Sequence, residues 1–252
     1  MFLNNAMLIF LRACLASLML IACTAYAVPV AAPIRVSLMM GGNDTVTAAD
    51  AARLLKADPF MRNVKVKVYS LLDFPAHTAT AGIPADKTFL SQSQHIFVST
   101  SVGRRFIDLA GIEIKQATRA GGQAYVVGSV WDSDFAGFGL TKNPELTAYK
   151  DAGGAVNLAN MERAALAKTL KLKAIAAPDK LPEMAYYNPL NNQSYADFAS
   201  YRKDCIWCKP GRAYVGIMMY RNNALSGKGE TAVALAYALA ARGLNPLVTY
   251  GI

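Results

Sequence analysis

Short apolar segments alternate with helix-forming segments through the first half of the chain, and this alternation limits the fold more than any other feature. The segments Ile34–Met40, His95–Thr100 and Ala124–Val130 are apolar and rich in branched residues, as buried strands are. Val64–Ser70 alternates apolar and basic residues, which is typical of a half-exposed edge strand. Because strands that alternate with helices form parallel sheets, the sequence predicts an α/β fold with a mostly parallel sheet and helices on both faces.

Helix signals occupy the intervals between these strands. Thr47–Asp50 has the residues of a capping box and predicts the start of a helix. A second helix is predicted over Val102–Ala120, with a break at Gly111. Two more are predicted on either side of Gly153-Gly154, and Asn160 is expected to cap the later one.

The segment Tyr214–Ile252 reads as a strand, an alanine-rich helix and a strand, with Gly243 at the C-terminal cap of the helix. A single βαβ unit cannot cover both faces of its own parallel strands. The sequence therefore predicts the start of a second α/β unit that is truncated. The predicted organisation is a signal peptide at 1–27, an N-terminal α/β domain at 33–180, a connector with a C-x-x-C pair at 181–213, and an incomplete second domain at 214–252.

The N-terminus has the order of parts of a secretory signal peptide. Arg12 precedes the apolar stretch Ala13–Ala22, and small residues follow. Ala25-Tyr26-Ala27 fits a cleavage site, while Cys23 fits a bacterial lipobox and would then carry lipid. A permanent membrane anchor is a third alternative, although the apolar stretch is short for a span. The expected location is therefore outside the cytoplasm, either periplasmic or as a membrane-anchored lipoprotein.

Export determines how the cysteine pair is interpreted. Cys205 and Cys208 form a C-x-x-C motif, and in an oxidising compartment such a pair most often forms a local disulfide. Free thiols, redox chemistry and metal binding are the alternatives. The helix-breaking Lys209-Pro210-Gly211 argues against a redox-active pair, which needs a helix N-terminus. A zinc site would need two more ligands, and His77 and His95 are both distant in sequence.

The charge of the chain is basic but dispersed. Of its 252 residues 54% are hydrophobic, which is enough to form a core, and the formal net charge is +9. The basic residues are scattered along the sequence, which favours a solvated surface over a dedicated binding patch. An anionic partner is the alternative, but no basic motif interleaved with aromatic residues supports nucleic acid as that partner.

The stretch "STSVGRRF" has residues suited to an anion site. The hydroxyls of Ser99, Thr100 and Ser101 precede a predicted helix N-terminus, where N–H groups and the helix dipole favour negative charge. Arg104 and Arg105 add positive charge. The loop also leaves the carboxyl end of a predicted buried strand, where ligands bind in such sheets. The alternative is that Ser101 is simply the N-cap of the helix.

Two other motifs are weaker. Asp132 and Asp134 follow a strand and could bind a cation or transfer protons, but aspartates are also common loop residues. Gly227-Lys228-Gly229 resembles part of a phosphate-binding loop. The first glycine position of that motif is occupied by Asn222 and the hydroxyl position by Gly229, so the loop is interpreted as an ordinary strand-to-helix connection.

Three stretches together resemble the CobN family, the large subunit of cobaltochelatase, which is related to the large subunit of magnesium chelatase. They are "AYKDAGGAVNLANM" at Ala148–Met161, "AYYNPLNNQSYADFASYRK" at Ala185–Lys203, and the whole segment Tyr214–Ile252. Asn188 stands where the family usually has histidine. The resemblance covers roughly residues 34–252.

The resemblance implies a function. Members of this family are several times longer, bind a tetrapyrrole and a divalent metal of the cobalt or magnesium type, and insert the metal with ATP hydrolysed by separate AAA+ subunits. Their metal-insertion site lies mostly outside the part that this chain resembles, so no catalytic residue is carried over. The expectation is the N-terminal part of an exported CobN-like subunit that binds a tetrapyrrole. Its partners would be the remainder of the subunit and AAA+ subunits, and ATP would act only through the latter.

Two alternatives remain at this point. Because ATP-driven partners are cytosolic, an exported relative could be a stand-alone tetrapyrrole- or anion-binding module without catalysis. A redox or metal protein built on Cys205 and Cys208 is the third hypothesis.

Overall fold

The structure, a computed structural model, describes residues 32–42, 44–74, 86–128, 133–180 and 182–251. Contacts divide the chain into Met1–Pro33 and Ile34–Ile252, and the second unit contains all the elements below. The predicted signal peptide, Cys23, His77 and Asp132 lie outside the described residues. No helix within the described ranges is both long enough and apolar enough to cross a bilayer.

The first sheet has five parallel strands in the order β2-β1-β3-β4-β5. The strands are β1 Ile34–Met39, β2 Val64–Tyr69, β3 His95–Ser99, β4 Gln123–Val127 and β5 Leu140–Lys142. The apolar runs predicted as buried strands lie inside the sheet, and the alternating segment β2 lies at its edge. The predicted α/β fold class is therefore confirmed.

Helices cover both faces of this sheet. They are α1 Asp44–Ala57, α2 Lys87–Ser91, α3 Gly103–Arg119, α4 Pro144–Ala152 and α5 Ala155–Leu170. On one face, α1, α4 and α5 pack against Val36, Leu38 and Phe97. On the other face, α2 and α3 pack against Ile96 and Val98. Each fully buried side chain of this size contributes about 1.5–3 kcal/mol, so the two apolar layers stabilise the sheet from both sides.

Several helix boundaries differ from the prediction. The first helix begins at Asp44, ahead of its predicted capping box. No break occurs at Gly111, which lies inside α3 where an added Cβ would come 2.6 Å from Cε1 of Phe138. That glycine therefore permits close packing. Asn160 is not a cap: Gly154 occupies the N-cap position of α5, and Asn160 lies within the helix and accepts a hydrogen bond from Arg163.

The second sheet has four strands in the order β7-β6-β9-β8. They are β6 Ala185–Asn188, β7 Gln193–Tyr195, β8 Tyr214–Tyr220 and β9 Asn245–Gly251, and the helices of this part are α6 Phe198–Asp204, α7 Arg221–Leu225 and α8 Glu230–Ala241. β8 and β9 are parallel, as a βαβ unit requires. β6 is antiparallel to both β9 and β7.

The second sheet begins earlier in the chain than expected. Residues 181–213, predicted as a connector, contain β6, β7 and α6. These strands form because tyrosines supply their buried surface: the Tyr187 ring meets the Tyr250 ring of β9 edge-on, with centroids 6.0 Å apart. The predicted βαβ unit therefore gains two antiparallel strands on its β9 side, while β8 remains the edge strand within the described part of the chain.

Candidate functional site

The carboxyl ends of β1, β3 and β4 open onto a crevice. The strand order places β2 on one side of β1 and β3 on the other. The strand order therefore reverses next to β1, and this position is a topological switch point. Ligands of open α/β sheets bind at such switch points. The crevice, of about 470 Å³, is lined by Gly41, Gly42, Asp44, Ser99, Thr100, Ser101, Val102, Gly128, Lys150, Asp151 and Asn222. We call it the switch-point crevice.

Gly128, directly after β4, sets the position of one crevice hydroxyl. Its φ is +124°, and an added Cβ would lie 2.3 Å from Oγ1 of Thr100. The Thr100 backbone N–H donates to the carbonyl of Val127 at 3.1 Å, which holds the two loops together. Only glycine satisfies both the backbone angle and the close contact.

Replacing Gly128 with alanine is expected to destabilise the fold by about 1–3 kcal/mol and to displace the Thr100 side chain. Urea unfolding measures the loss. Gly121→Ala is the matched control, because Gly121 also has a positive φ, +93°, but an added Cβ there meets nothing within 4 Å. The Gly128 effect should exceed the Gly121 effect and shrink in a Thr100→Ala background. If Gly128→Ala and Gly121→Ala lowered the free energy of unfolding equally, the contact between the added Cβ and Thr100 would contribute nothing to the loss.

The helix that follows β3 begins without a side-chain cap. Val102, not Ser101, occupies the N-cap position of α3, and no side chain there accepts a hydrogen bond from the first turn. The interpretation of Ser101 as a simple N-cap is therefore wrong. Instead the hydroxyls of Ser99 and Ser101 contact each other at 3.2 Å. The crevice loop thus runs into the positive end of a 17-residue helix, where the dipole favours an anion.

The five predicted anion-site residues lie in two adjoining cavities. Ser99, Thr100 and Ser101 line the switch-point crevice. Thr100 and Ser101 also line an adjoining depression, which contains Arg104, Arg105 and Asp108. The Arg104 guanidinium forms ion pairs with Asp108, at 3.6 Å, and with Asp134. These two carboxylates offset the Arg104 charge. The ion pair also occupies Asp134, which the sequence suggested as a cation ligand.

The opposite wall of the crevice carries an ion pair that sequence reasoning missed. Lys150 Nζ lies 2.9 Å from Oδ2 of Asp44, and both side chains are largely buried. The pair joins the last turn of α4 to the first turn of α1. Neither Lys150 nor Asp44 belongs to a recognisable catalytic motif. The one sequence feature that could have indicated the pair is that Lys150 lies within the CobN-like stretch Ala148–Met161.

Arg221 connects two of the CobN-like stretches. Its guanidinium donates to the carbonyl of Ala152 at 2.9 Å and to that of Pro182 at 3.0 Å. The last carbonyls of a helix lack intrahelical partners, and here Arg221 supplies one for the end of α4. Gly153 makes the approach possible, because an added Cβ would lie 2.8 Å from Cδ1 of Leu225. The Gly-Gly turn and the Tyr-Arg strand end therefore form one structural unit.

Asn188, at the position where the family usually has histidine, has a local structural role. It is buried at the end of β6, and its Oδ1 accepts a hydrogen bond from the backbone N–H of Leu190 at 3.1 Å. Its amide lies 3.4 Å from the carbonyl of Asp204. Asn188 thus fixes the turn between β6 and β7 and does not line the switch-point crevice.

Cys205 and Cys208 are joined in a disulfide. Cys205 is buried in an aromatic cluster with Tyr201 and Trp207. No group of three or more His, Cys, Asp or Glu side chains within the described ranges could hold a metal ion. The disulfide lies against this packed aromatic cluster.

The loop Gly227–Gly229 leads into α8, with Gly229 at its N-cap. An added Cβ on Gly229 would lie 2.8 Å from Cβ of Pro189, so this glycine allows the loop to pack on the β6–β7 turn. His95 lies at the amino end of β3, away from the crevice. Its burial lowers its pKa, as expected of a packed histidine.

The match to a family model overlaps the motifs that meet at Arg221. Among solved structures, the chain is similar to the catalytic subunit of cobaltochelatase from Mycobacterium tuberculosis, with 16% identity and a TM-score of 0.47, over 87% of this chain and 16% of that one. The comparison with curated proteins gives no match. Residues 147–251, which include Lys150, Asp151 and Arg221, match the family model CobN/Magnesium Chelatase. The resemblance to the CobN family is thus confirmed for residues 147–251, over which the chain matches this family model.

Proposed function

We propose that the chain is the N-terminal part of an exported CobN-like cobaltochelatase subunit, and that it binds a tetrapyrrole for the insertion or handling of a divalent metal. One observation carries the proposal. The region that matches the family model contributes Lys150, Asp151 and Asn222 to the wall of the switch-point crevice, where sheets of this topology bind ligands. Export rests on the pattern of Met1–Ala27 alone.

The crevice has polar groups that suit the carboxylates of a tetrapyrrole. Its volume, about 470 Å³, lies within the range of about 300–1,000 Å³ for small-molecule sites. A tetrapyrrole has a flat apolar ring with carboxylates at its rim. Lys150, the hydroxyls of Thr100 and Ser101, and the first turn of α3 would contact those carboxylates. The metal is a substrate in this proposal, and the ring nitrogens are its ligands.

Partners follow from the same proposal. The remainder of the chelatase large subunit and AAA+ subunits would supply metal insertion and ATP hydrolysis, because the chain spans only 16% of the cobaltochelatase subunit to which it is similar. The alternative is a stand-alone exported module that binds a tetrapyrrole or another anion without catalysis. The absence of a side-chain cap on α3, beside the crevice hydroxyls, favours the alternative. Combining the chain with the remainder of a chelatase large subunit, AAA+ subunits, ATP and cobalt separates the two, since a stand-alone module would leave the ring without metal.

Titration of the purified chain with a porphyrin and with a corrin tests binding. We expect a saturable shift of the ligand absorbance band. Lys150→Met should weaken binding at least about tenfold, which corresponds to about 1.4 kcal/mol. Lys150→Met also leaves Asp44 without its ion-pair partner, which could disturb folding. Thr100→Val is therefore a second crevice variant, because it leaves the Lys150–Asp44 pair intact. Lys168→Met, an exposed lysine near the far end of α5, should leave binding unchanged. No saturable change at high micromolar ligand would remove the proposal.

A further inference from the structure

The lysine of the switch-point crevice already has an anionic partner. Lys150 Nζ lies 2.9 Å from Oδ2 of Asp44, and only 14% of the Lys150 side chain and 18% of the Asp44 side chain are exposed. Among the described residues that line the crevice, Lys150 is the one cation, whereas Asp44 and Asp151 are carboxylates. An acidic ligand that enters the crevice therefore meets a lysine whose charge is already neutralised.

A second cavity adjoins the crevice at this ion pair. Its volume is about 200 Å³, and Thr47 and Arg221 are among the residues that line it but not the crevice. Both cavities share four lining residues, which are Asp44, Lys150, Asp151 and Asn222. We call the second cavity the Thr47 pocket. Because Asp44 borders both cavities, its side chain has space on either side of the ion pair.

The Asp44 carboxylate does not depend on Lys150 alone for stabilisation. Asp44 lies in the first turn of α1, and the positive end of the helix dipole favours a negative charge there. The Arg221 guanidinium adds positive charge on the side of the Thr47 pocket. If the contact with Lys150 breaks, Asp44 therefore remains in a polar and partly compensated environment. An unpaired Lys150 would instead be a largely buried charge that needs another carboxylate.

We propose that Asp44 competes with the carboxylate of the ligand for Lys150, so that an acidic ligand binds by replacing Asp44 on this lysine. The inference rests on the proposed function, because it concerns the same crevice. In the exchange the Lys150–Asp44 ion pair breaks, the Asp44 carboxylate turns toward the Thr47 pocket, and Lys150 pairs with the ligand. Lys150 thus keeps a carboxylate partner throughout, which avoids the cost of an unpaired buried charge.

Asp44 thereby sets the affinity of the crevice for acidic ligands. A ligand carboxylate gains only the difference between its own contact with Lys150 and the Asp44 contact that it replaces. A neutral ligand leaves the ion pair in place and gains nothing from its loss. Asp44 therefore lowers the affinity for ligands with free carboxylates and leaves the affinity for their esters unchanged.

Titration of the wild type and of Asp44→Asn with a porphyrin dicarboxylic acid and with its dimethyl ester tests the competition. Asp44→Asn should bind the diacid at least about tenfold more tightly than the wild type does, and the diester equally well. Asp50→Asn is the matched control, because Asp50 lies on the same helix, pairs with Arg53 and lines neither cavity. That variant should bind both ligands as the wild type does. A diacid that binds the wild type and Asp44→Asn equally would overturn the competition and leave the proposed function intact.

Rescue by acetate tests the exchange without a tetrapyrrole. Asp44→Asn leaves Lys150 without its partner, so acetate should raise the urea midpoint of this variant more than chloride at the same ionic strength does. The wild type and Asp50→Asn should respond equally to the two salts. Asp44→Ser, which also suits a helix N-terminus, replaces Asp44→Asn if the latter does not fold.

The two experiments separate the inference from the proposed function. Rescue of the Asp44 variant by acetate, together with no porphyrin binding by any variant, would support carboxylate exchange at Lys150 and remove only the tetrapyrrole. An Asp44 variant that acetate stabilises no more than chloride does would contradict the exchange, even if the wild type bound a porphyrin.

Discussion

Replacing Arg221 with alanine is expected to destabilise the chain by about 2–4 kcal/mol. The guanidinium donates hydrogen bonds to the carbonyls of Ala152 and Pro182, which belong to different segments of the chain. A hydrogen bond to a charged group contributes about 1.5–3 kcal/mol net, and part of this site is open to solvent. The loss also leaves the end of α4 without a partner for its last carbonyl. Urea unfolding monitored by circular dichroism measures the change.

Two further variants show whether the geometry or the charge matters. Arg221→Lys keeps the charge but cannot reach two carbonyls in a fixed fork, so it should recover less than half of the loss. Arg242→Ala removes one exposed hydrogen bond to the carbonyl of Ala238 in its own helix, and should cost less than about 0.5 kcal/mol. If Arg221→Ala and Arg242→Ala were equally mild, Arg221 would not join the CobN-like stretches energetically.

Replacing Glu162 with glutamine is expected to stabilise the chain at neutral and alkaline pH. Glu162 lies on α5, which packs against α1, and it is fully buried. Neither carboxyl oxygen has a hydrogen-bond partner within the described part of the chain. Burial raises the pKa of Glu162 well above its ordinary value of 4.5, and the neighbouring Arg163 offsets only part of this effect. Burial therefore favours the protonated form of this carboxyl group in the folded state.

The pH dependence follows from this raised pKa. Below about pH 4.5 both the folded and the unfolded chain hold the proton, so the group imposes no penalty. As the pH rises, the unfolded chain releases the proton first. Stability then falls by about 1.4 kcal/mol per pH unit until the pH reaches the folded-state pKa. Glu162→Gln removes this penalty, so at pH 8 the variant should be more stable than the wild type, and near pH 4 the two should agree closely.

Urea midpoints measured between pH 4 and pH 9 test this expectation. Glu145→Gln is the control, because Glu145 is exposed on α4 and its replacement removes the same charge. That variant should change stability by less than about 0.5 kcal/mol at pH 8. A Glu162→Gln variant that is less stable than the wild type at pH 8 would mean that the buried carboxylate is ionised and compensated.

The first sheet could be predicted because the local sequence of most of its strands has a recognisable apolar or alternating pattern. β1 and β3 are rich in apolar, branched residues, as is typical of strands buried on both faces. β5 could not be predicted, since it has three residues and only Leu140 is buried. The break expected at Gly111 followed helix propensity, but packing against Phe138 determined the structure.

The second sheet was only partly predictable. β6 and β7 are short, rich in tyrosine and asparagine, and lack a regular apolar period. Their pairing depends on β9, which follows much later in the chain, and no local pattern indicates such a partner. The final βαβ unit was predicted, whereas the strands that complete its other side were not.

The candidate site divides in the same way. Hydroxyls after a buried strand indicated Ser99, Thr100 and Ser101, which line the crevice. Lys150 and Asn222 come from distant segments, so only the tertiary fold brings them to the same wall. The pairing of Arg104 with Asp134 likewise depends on a contact across 30 residues, which the local sequence does not reveal.

The central place of β9 in the second sheet has a consequence for biosynthesis. β6 and β8 both pair with β9, so the β6–β7 pair and β8 remain unjoined until residues 245–251 have left the ribosome. The first sheet and its covering helices are complete much earlier, at Leu170. Domains fold from the N-terminus during synthesis. A nascent chain that has passed Leu170 but not Asn245 therefore has a complete first sheet, while the tyrosines that pack on β9 are still exposed to water. At this stage of synthesis the protein is most exposed to chaperones and proteases.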